Sequence, residues 1–210
     1  MMVPSKSRIA IFVSGSGTNA ERVYRHFTNH PEAEVMAVYV NNPEAYALKR
    51  FNNTPVPTFI FNRKDMYKSL ELLKSLKQKR ITHIVLAGFL WLIPDYLLRA
   101  FPNRIINIHP SLLPKYGGKG MYGMKVHEKV IENKEPESGI TIHLINEVYD
   151  EGEVLCQKSV ELAETDTPET LAKKVQKLEH HFYPLVIERW IAFMEKRKSI
   201  AELQKHLERI

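Results

Sequence analysis

Ile81-Thr82-His83-Ile84-Val85-Leu86-Ala87 is a near-continuous apolar run. A run of that length without alternation reads as a strand buried on both faces, which is the habit of a parallel sheet covered by helices. The chain on either side fits. Ahead of it the pattern gives a strand at Arg8–Ser14, a helix near Ala20–His30, a strand at Glu34–Val40, a short helix at Glu44–Phe51 and a strand at Pro57–Phe61. One basic helix over 62–80 follows, with Met66, Leu70, Leu73 and Leu76 at helical spacing. Behind the run come a short helix at Pro94–Phe101 and a strand at Arg104–His109.

The rhythm then changes. Pro114–Met124 carries four glycines and one proline and reads as a flexible loop. Lys125–Asn133 reads as a helix, and Gly139–Ile145 and Val154–Leu162 as strands with little between them, an antiparallel addition. Thr167 and Pro168 give a cap and first turn, after which Leu171, Val175, Leu178, Phe182 and Leu185 form one stripe of a long helix. The fold class expected is α/β: a Rossmann-like, mostly parallel twisted sheet with helices on both faces, in a single domain over 1–210.

At 210 residues and 44% hydrophobic composition the chain can bury a core of that kind. No apolar stretch reaches membrane-span length, Met1–Arg8 lacks the apolar core of a signal peptide, and Cys156 is the only cysteine. These features point to a cytoplasmic protein with no membrane partner. The net charge is +6, and residues 62–80 hold seven Lys/Arg against two acids. A solvated basic face explains that excess, and attraction for an anionic ligand is the sharper reading. Nucleic acid is not expected as a partner, because no aromatic platform accompanies the charge. None of the nine histidines falls into a metal-ligand spacing, so no metal is expected.

Two motifs carry chemistry. In Asn107-Ile108-His109-Pro110-Ser111-Leu112-Leu113-Pro114, the amide and the imidazole alternate at a strand end and so share a face. Together they can polarise a carbonyl, the amide donating to oxygen and the imidazolium supplying charge. A strand cap followed by a turn fits the same residues. The second motif is Gly15-Ser16-Gly17-Thr18-Asn19-Ala20, which matches the loose dinucleotide pattern. Strand two ends in Val40-Asn41-Asn42-Pro43 with no acid for a ribose, which disfavours a nicotinamide cofactor. A monophosphate cradle at a helix N-terminus fits, and so does a glycine-tight turn with no ligand.

The segment from Asn107 to Pro114 closely resembles the active-site segment of the folate-dependent formyltransferases, and the resemblance runs from about Arg8 to about Trp190. Within that family the glycine turn resembles the phosphate loop of the members acting on glycinamide ribonucleotide. The resemblance implies formyl transfer from 10-formyltetrahydrofolate to that amine, in purine synthesis, with small-molecule partners only. It implies Asn107, His109 and Asp150 as catalytic residues and His143 as their support. Gly17, Thr18 and Asn19 would bind the substrate phosphate, and Glu179 its ribose. Lys64, with Arg63 as an alternative, Leu90, Trp91, Leu92, Ile93 and Asn107 would line the folate site, with the loop Ile145–Asp150 as its other side. Trp91 stands where some relatives have Arg. Alternatives within reach are a formyltetrahydrofolate deformylase, which normally carries an extra N-terminal regulatory domain whereas strand one here starts at Arg8, and a catalytically silent folate- or nucleotide-binding protein. The oligomeric state, monomer or homodimer, is not specified by the sequence.

Overall fold

The computed structural model describes residues 6–196 and 199–210. They form two compact units, one running to Ile106 and the other from Asn107 to Ile210. In chain order the elements are β1 (Ser7–Val13), α1 (Thr18–Phe27), β2 (Ala33–Val40), α2 (Tyr46–Phe51), β3 (Thr58–Ile60), α3 (Arg63–Tyr67), α4 (Glu71–Gln78), β4 (His83–Leu86), α5 (Asp95–Ala100), β5 (Ile105–His109), α6 (Met124–Glu132), β6 (Glu137–Leu144), β7 (Val154–Glu161), α7 (Pro168–Glu195) and α8 (Ile200–Leu207). The strands line up as β3-β2-β1-β4-β5-β6-β7. β1 pairs in parallel with β2 and β4, and β2 with β3. β6 and β7 pair antiparallel. This is the expected Rossmann-like sheet, mostly parallel with an antiparallel addition, surrounded by helices.

In the first unit the run that opened the sequence reading is β4, and all four of its residues are buried. Ile9 to Val13 of β1 are likewise fully buried. The one polar side chain in β4, His83, survives there because both ring nitrogens are used: Nδ1 meets Thr82 Oγ1 at 2.9 Å, and Nε2 accepts from Arg104 at 3.0 Å. Burial, and after it the neighbouring Arg104 charge, pushes the His83 pKa down to about 3.

The basic segment 62–80 is two helices rather than one. Lys68 leaves helical geometry at φ −124°, and Ser69 Oγ bonds back to the Asp65 carbonyl while accepting from Glu71 N–H. Such side-chain bonds compete with the helix ladder. Leu70 therefore sits at the N-cap of α4, exposed, and Leu72 and Leu76 carry the buried face.

In the second unit the stripe of α7 also departs from the expectation. Leu171 and Val175 are buried, but Leu178, Phe182 and Leu185 are only half-buried; Tyr183, Ile187, Trp190 and Ile191 take over the core. A strict 3.5-residue repeat drifts about 20° per heptad on a 3.6-residue helix, so the stripe read from sequence slides off the buried face. Helix α8 was not expected. Its signal is a capping box, Ser199 with Glu202, ahead of buried Leu203 and Leu207.

Candidate active site

In the second unit, β5 ends with Asn107 and His109 on one face, as the period-two reading requires. The Pro-bounded segment after them is fixed by Thr141 of β6. Its Oγ1 accepts from Leu113 N–H at 2.9 Å and from Gln157 Nε2 at 2.8 Å, and donates to Ser111 O at 2.7 Å. That buried hydroxyl uses its full hydrogen-bonding capacity, which is what makes it a rigid support.

His109 is buried. Its Nε2 lies 2.7 Å from the carbonyl oxygen of Tyr116 and its Nδ1 lies 3.5 Å from Asp150 Oδ2. A carbonyl only accepts, so Nε2 carries a proton. The other nitrogen, Nδ1, faces the Asp150 carboxylate. Asp150 is itself held, since Oδ2 accepts from Gly118 N–H at 2.9 Å. It adopts the left-handed region at φ 57°, a conformation short polar residues tolerate better than most.

His143, fully buried on β6, reads differently. Its Nδ1 donates to the Leu144 carbonyl at 2.9 Å, which leaves Nε2 to accept from Asn107 Nδ2 at 3.1 Å. Burial, opposed by the Leu144 bond and the Asp150 charge, lowers its pKa. Asp150 Oδ1 lies 3.7 Å from Nε2, but a neutral ring forms no ion pair with it. The result fixes the Asn107 amide with its nitrogen as donor and leaves that amide half-exposed at the strand end. The structure thus brings Asn107, His109, His143 and Asp150 together.

Sequence reasoning missed Tyr116 and Gly118, because both act through backbone atoms. It also took Pro114–Met124 as uniformly flexible. Its first part is tied instead: Ser111 Oγ donates to Lys115 O at 2.7 Å, and Tyr116 O and Gly118 N reach His109 and Asp150. Glu179 is half-buried on α7. Burial, and after it the Glu179 carboxylate, holds the Tyr183 phenol well above its ordinary range.

The other predicted residues belong to the first unit. At the glycine turn, α2 bonds the carbonyls: Ala47 N–H donates to Gly15 O at 3.2 Å and Arg50 Nε to Ser16 O at 2.7 Å. Gly17 is the N-cap of α1, with no side-chain cap over the helix N-terminus. Its φ of 74° suits glycine, and a Cβ there would lie 2.7 Å from Ala47 Cβ. Gly17 is therefore required for packing whether or not a ligand binds, and Thr18 and Asn19, half-exposed, are the better probes of binding. The turn is continuous with the apolar wall. Ser14 N–H donates to Gly88 O at 3.0 Å, and Ser14 Oγ accepts from Leu90 N–H at 3.0 Å. Leu90 is exposed, Trp91 and Leu92 are half-buried and Ile93 is buried. The Arg63 guanidinium stacks on Trp91 at 4.8 Å, and Tyr67 donates to Leu92 O at 2.8 Å. Arg63 and Lys64 are both exposed on α3, and the stacking contact sets Arg63 against this wall.

Residues 7–187 match the family model described as formyl transferase. The chain belongs to the formyl transferase family. A Bacillus subtilis relative named phosphoribosylglycinamide formyltransferase is 34% identical over 185 residues, covering 86% of this chain and 92% of that protein. The chloroplastic phosphoribosylglycinamide formyltransferase of Arabidopsis thaliana is 38% identical over 190 residues, covering 88% of this chain and 65% of that protein, so the chain spans slightly under two thirds of it. The crystal structure of phosphoribosylglycinamide formyltransferase from Brucella melitensis superposes with a TM-score of 0.78 at 34% identity, covering 90% of this chain and 97% of the other. As a formyl transferase, the chain has no helix long and apolar enough to cross a membrane among its described residues.

Proposed function

We propose that this protein transfers the formyl group of 10-formyltetrahydrofolate to the primary amine of glycinamide ribonucleotide, acting in the cytoplasm as a single formyltransferase domain. The observation that carries the reading is the Asn107–His109–Asp150 arrangement, with His143 fixing the amide, on a formyl transferase fold. Relatives named for the same activity support the choice of amine. So does the uncapped helix N-terminus after a glycine turn, which is chemistry suited to a phosphate.

In this reading the amine attacks the formyl carbon and a tetrahedral intermediate forms. The Asn107 amide donates to its oxygen, and the positive charge of the His109 imidazolium, whose ring nitrogens face Tyr116 and Asp150, stabilises it electrostatically. The bond from carbon to the folate nitrogen then breaks, the amine's proton passes to that nitrogen, and the products are formylated ribonucleotide and tetrahydrofolate. Asp150 supports the His109 imidazolium across the 3.5 Å contact at Nδ1. Thr18, Asn19 and the backbone at Gly17 hold the phosphate, and Glu179 the ribose. Leu90, Trp91, Leu92 and Ile93 line the folate, with Arg63 or Lys64 facing its carboxylates. No metal enters the chemistry of this scheme.

The test is an absorbance assay of 10-formyltetrahydrofolate consumption with and without glycinamide ribonucleotide. Consumption that needs the ribonucleotide is expected. Consumption in its absence identifies a deformylase, and no consumption in either case a silent binding protein.

A further inference from the structure

Tyr116 holds a conformation its residue type disfavours. Its φ is 58°, in the left-handed region, although Gly117 and Gly118 follow directly and either would sit there more easily. A bulky residue at such a position carries a backbone cost that contacts of its side chain must offset. The Tyr116 hydroxyl donates to Glu135 Oε1 at 2.8 Å and accepts from Asn133 Nδ2 at 2.7 Å. Lys115 Nζ closes the other side of the same carboxylate, 2.9 Å from Oε2. Burial raises the Tyr116 pKa, and Lys115 holds the Glu135 pKa down, so the phenol is the donor and the carboxylate the acceptor. The backbone between these anchors delivers the Tyr116 carbonyl to His109 Nε2 at 2.7 Å.

We infer that Tyr116 is a positioning residue for His109: Glu135 and Asn133 anchor its phenol so that its carbonyl fixes the His109 ring and turns Nδ1 toward Asp150. The inference rests on the reading of His109 given above. The logic is that of an orienting partner on a catalytic base, in which an acceptor on one ring nitrogen decides what the other presents. The acceptor is a main-chain atom, so its aim depends on whatever holds the segment. Here that is a side-chain network at the far end of the same residue.

The experiment compares Tyr116→Phe, Glu135→Ala, Glu135→Gln and Asn133→Ala with the native protein. In Tyr116→Phe and Glu135→Ala, kcat should fall about tenfold while KM for each substrate stays within about twofold. Glu135→Gln keeps an acceptor for the phenol and should restore most of kcat. Asn133→Ala, which alters an exposed side chain, should give a smaller loss in the same direction and stands in if Tyr116→Phe does not fold. A second readout needs no turnover. In the native protein the His109 Nε2 proton should give a protected downfield imidazole N–H resonance, and in Tyr116→Phe it should broaden into exchange with water. Native kcat together with a native N–H resonance in the folded Tyr116→Phe and Asn133→Ala proteins would overturn the inference, as would a loss confined to one KM. If the native enzyme transfers no formyl group, the proposed function fails while the resonance still decides the role of Tyr116.

Discussion

At the glycine turn the holding contacts come from behind. Ala47 and Arg50 bond the carbonyls of Gly15 and Ser16, and the N-terminus of α1 receives no side-chain cap. At His109 the holding contacts are made by the proposed reacting groups themselves: His109 to Tyr116 and Asp150, Asp150 to Gly118, and Asn107 to His143. One region presents a helix N-terminus without a side-chain cap, and the other uses its own acceptors to set an orientation in advance. Binding energy and transition-state stabilisation are separable quantities, and the proposed function divides them between the two regions.

That division fails if both regions affect the same kinetic constant. The largest effect is expected at the second. His109→Ala should lower kcat by about 100- to 1,000-fold, the loss typical of removing one oxyanion-stabilising group, with KM for the ribonucleotide little changed. Steady-state kinetics on the folded variant measure it. Next comes the turn: Asn19→Ala should raise KM for the ribonucleotide about 10- to 100-fold and leave kcat near native, because a lost hydrogen bond to a charged group is worth about 1.5–3 kcal/mol. A fall in kcat alone would place Asn19 in the chemistry and dissolve the contrast.

Protonation sharpens it further. His83 and His127 are held neutral by burial, with pKa values down to about 3 and about 4, and burial lowers His143 as well. A histidine depressed in the folded state binds its proton first in the unfolded chain. Stability from these groups is therefore complete above about pH 6.5 and falls as pH drops toward their folded values, by about 1.4 kcal/mol per pH unit for each. Denaturant melts between pH 7 and 4 should show this decline, and His83→Gln should make it shallower. A flat profile would mean that these rings do not titrate between the folded and unfolded states. Smaller still is the difference between two neighbouring glycines. Gly17→Ala should cost about 1–3 kcal/mol, through its φ and the contact with Ala47, whereas Gly15→Ala meets open space and should stay within about 0.5 kcal/mol. Thermal melts separate them.

Much of this was legible beforehand. β1 and β4 announce themselves because burial on both faces leaves a near-continuous apolar run, and the Asn107/His109 pair because alternation on a strand fixes a common face. The break at Ser69 was not legible, since a single hydroxyl bonding backward competes with a helical apolar pattern that continues through it. Asp150 carries no local sign of its partner, and its pairing with His109 came from resemblance rather than spacing. Tyr116 and Gly118 were invisible for a different reason: they contribute a carbonyl and an N–H, which every residue owns, at places only the fold can select.

The claim underlying all of this is that His109 and Asp150 act as one unit. A double-mutant cycle on formyl transfer tests it, using His109→Ala, Asp150→Asn and the pair together, with circular dichroism to confirm folding. Asp150→Asn nearly keeps the shape and removes the charge. The double variant should be scarcely slower than His109→Ala alone, because the carboxylate has nothing left to act on. Losses that simply add would contradict it, leaving Asp150 a residue of the turn with no part in holding the imidazolium.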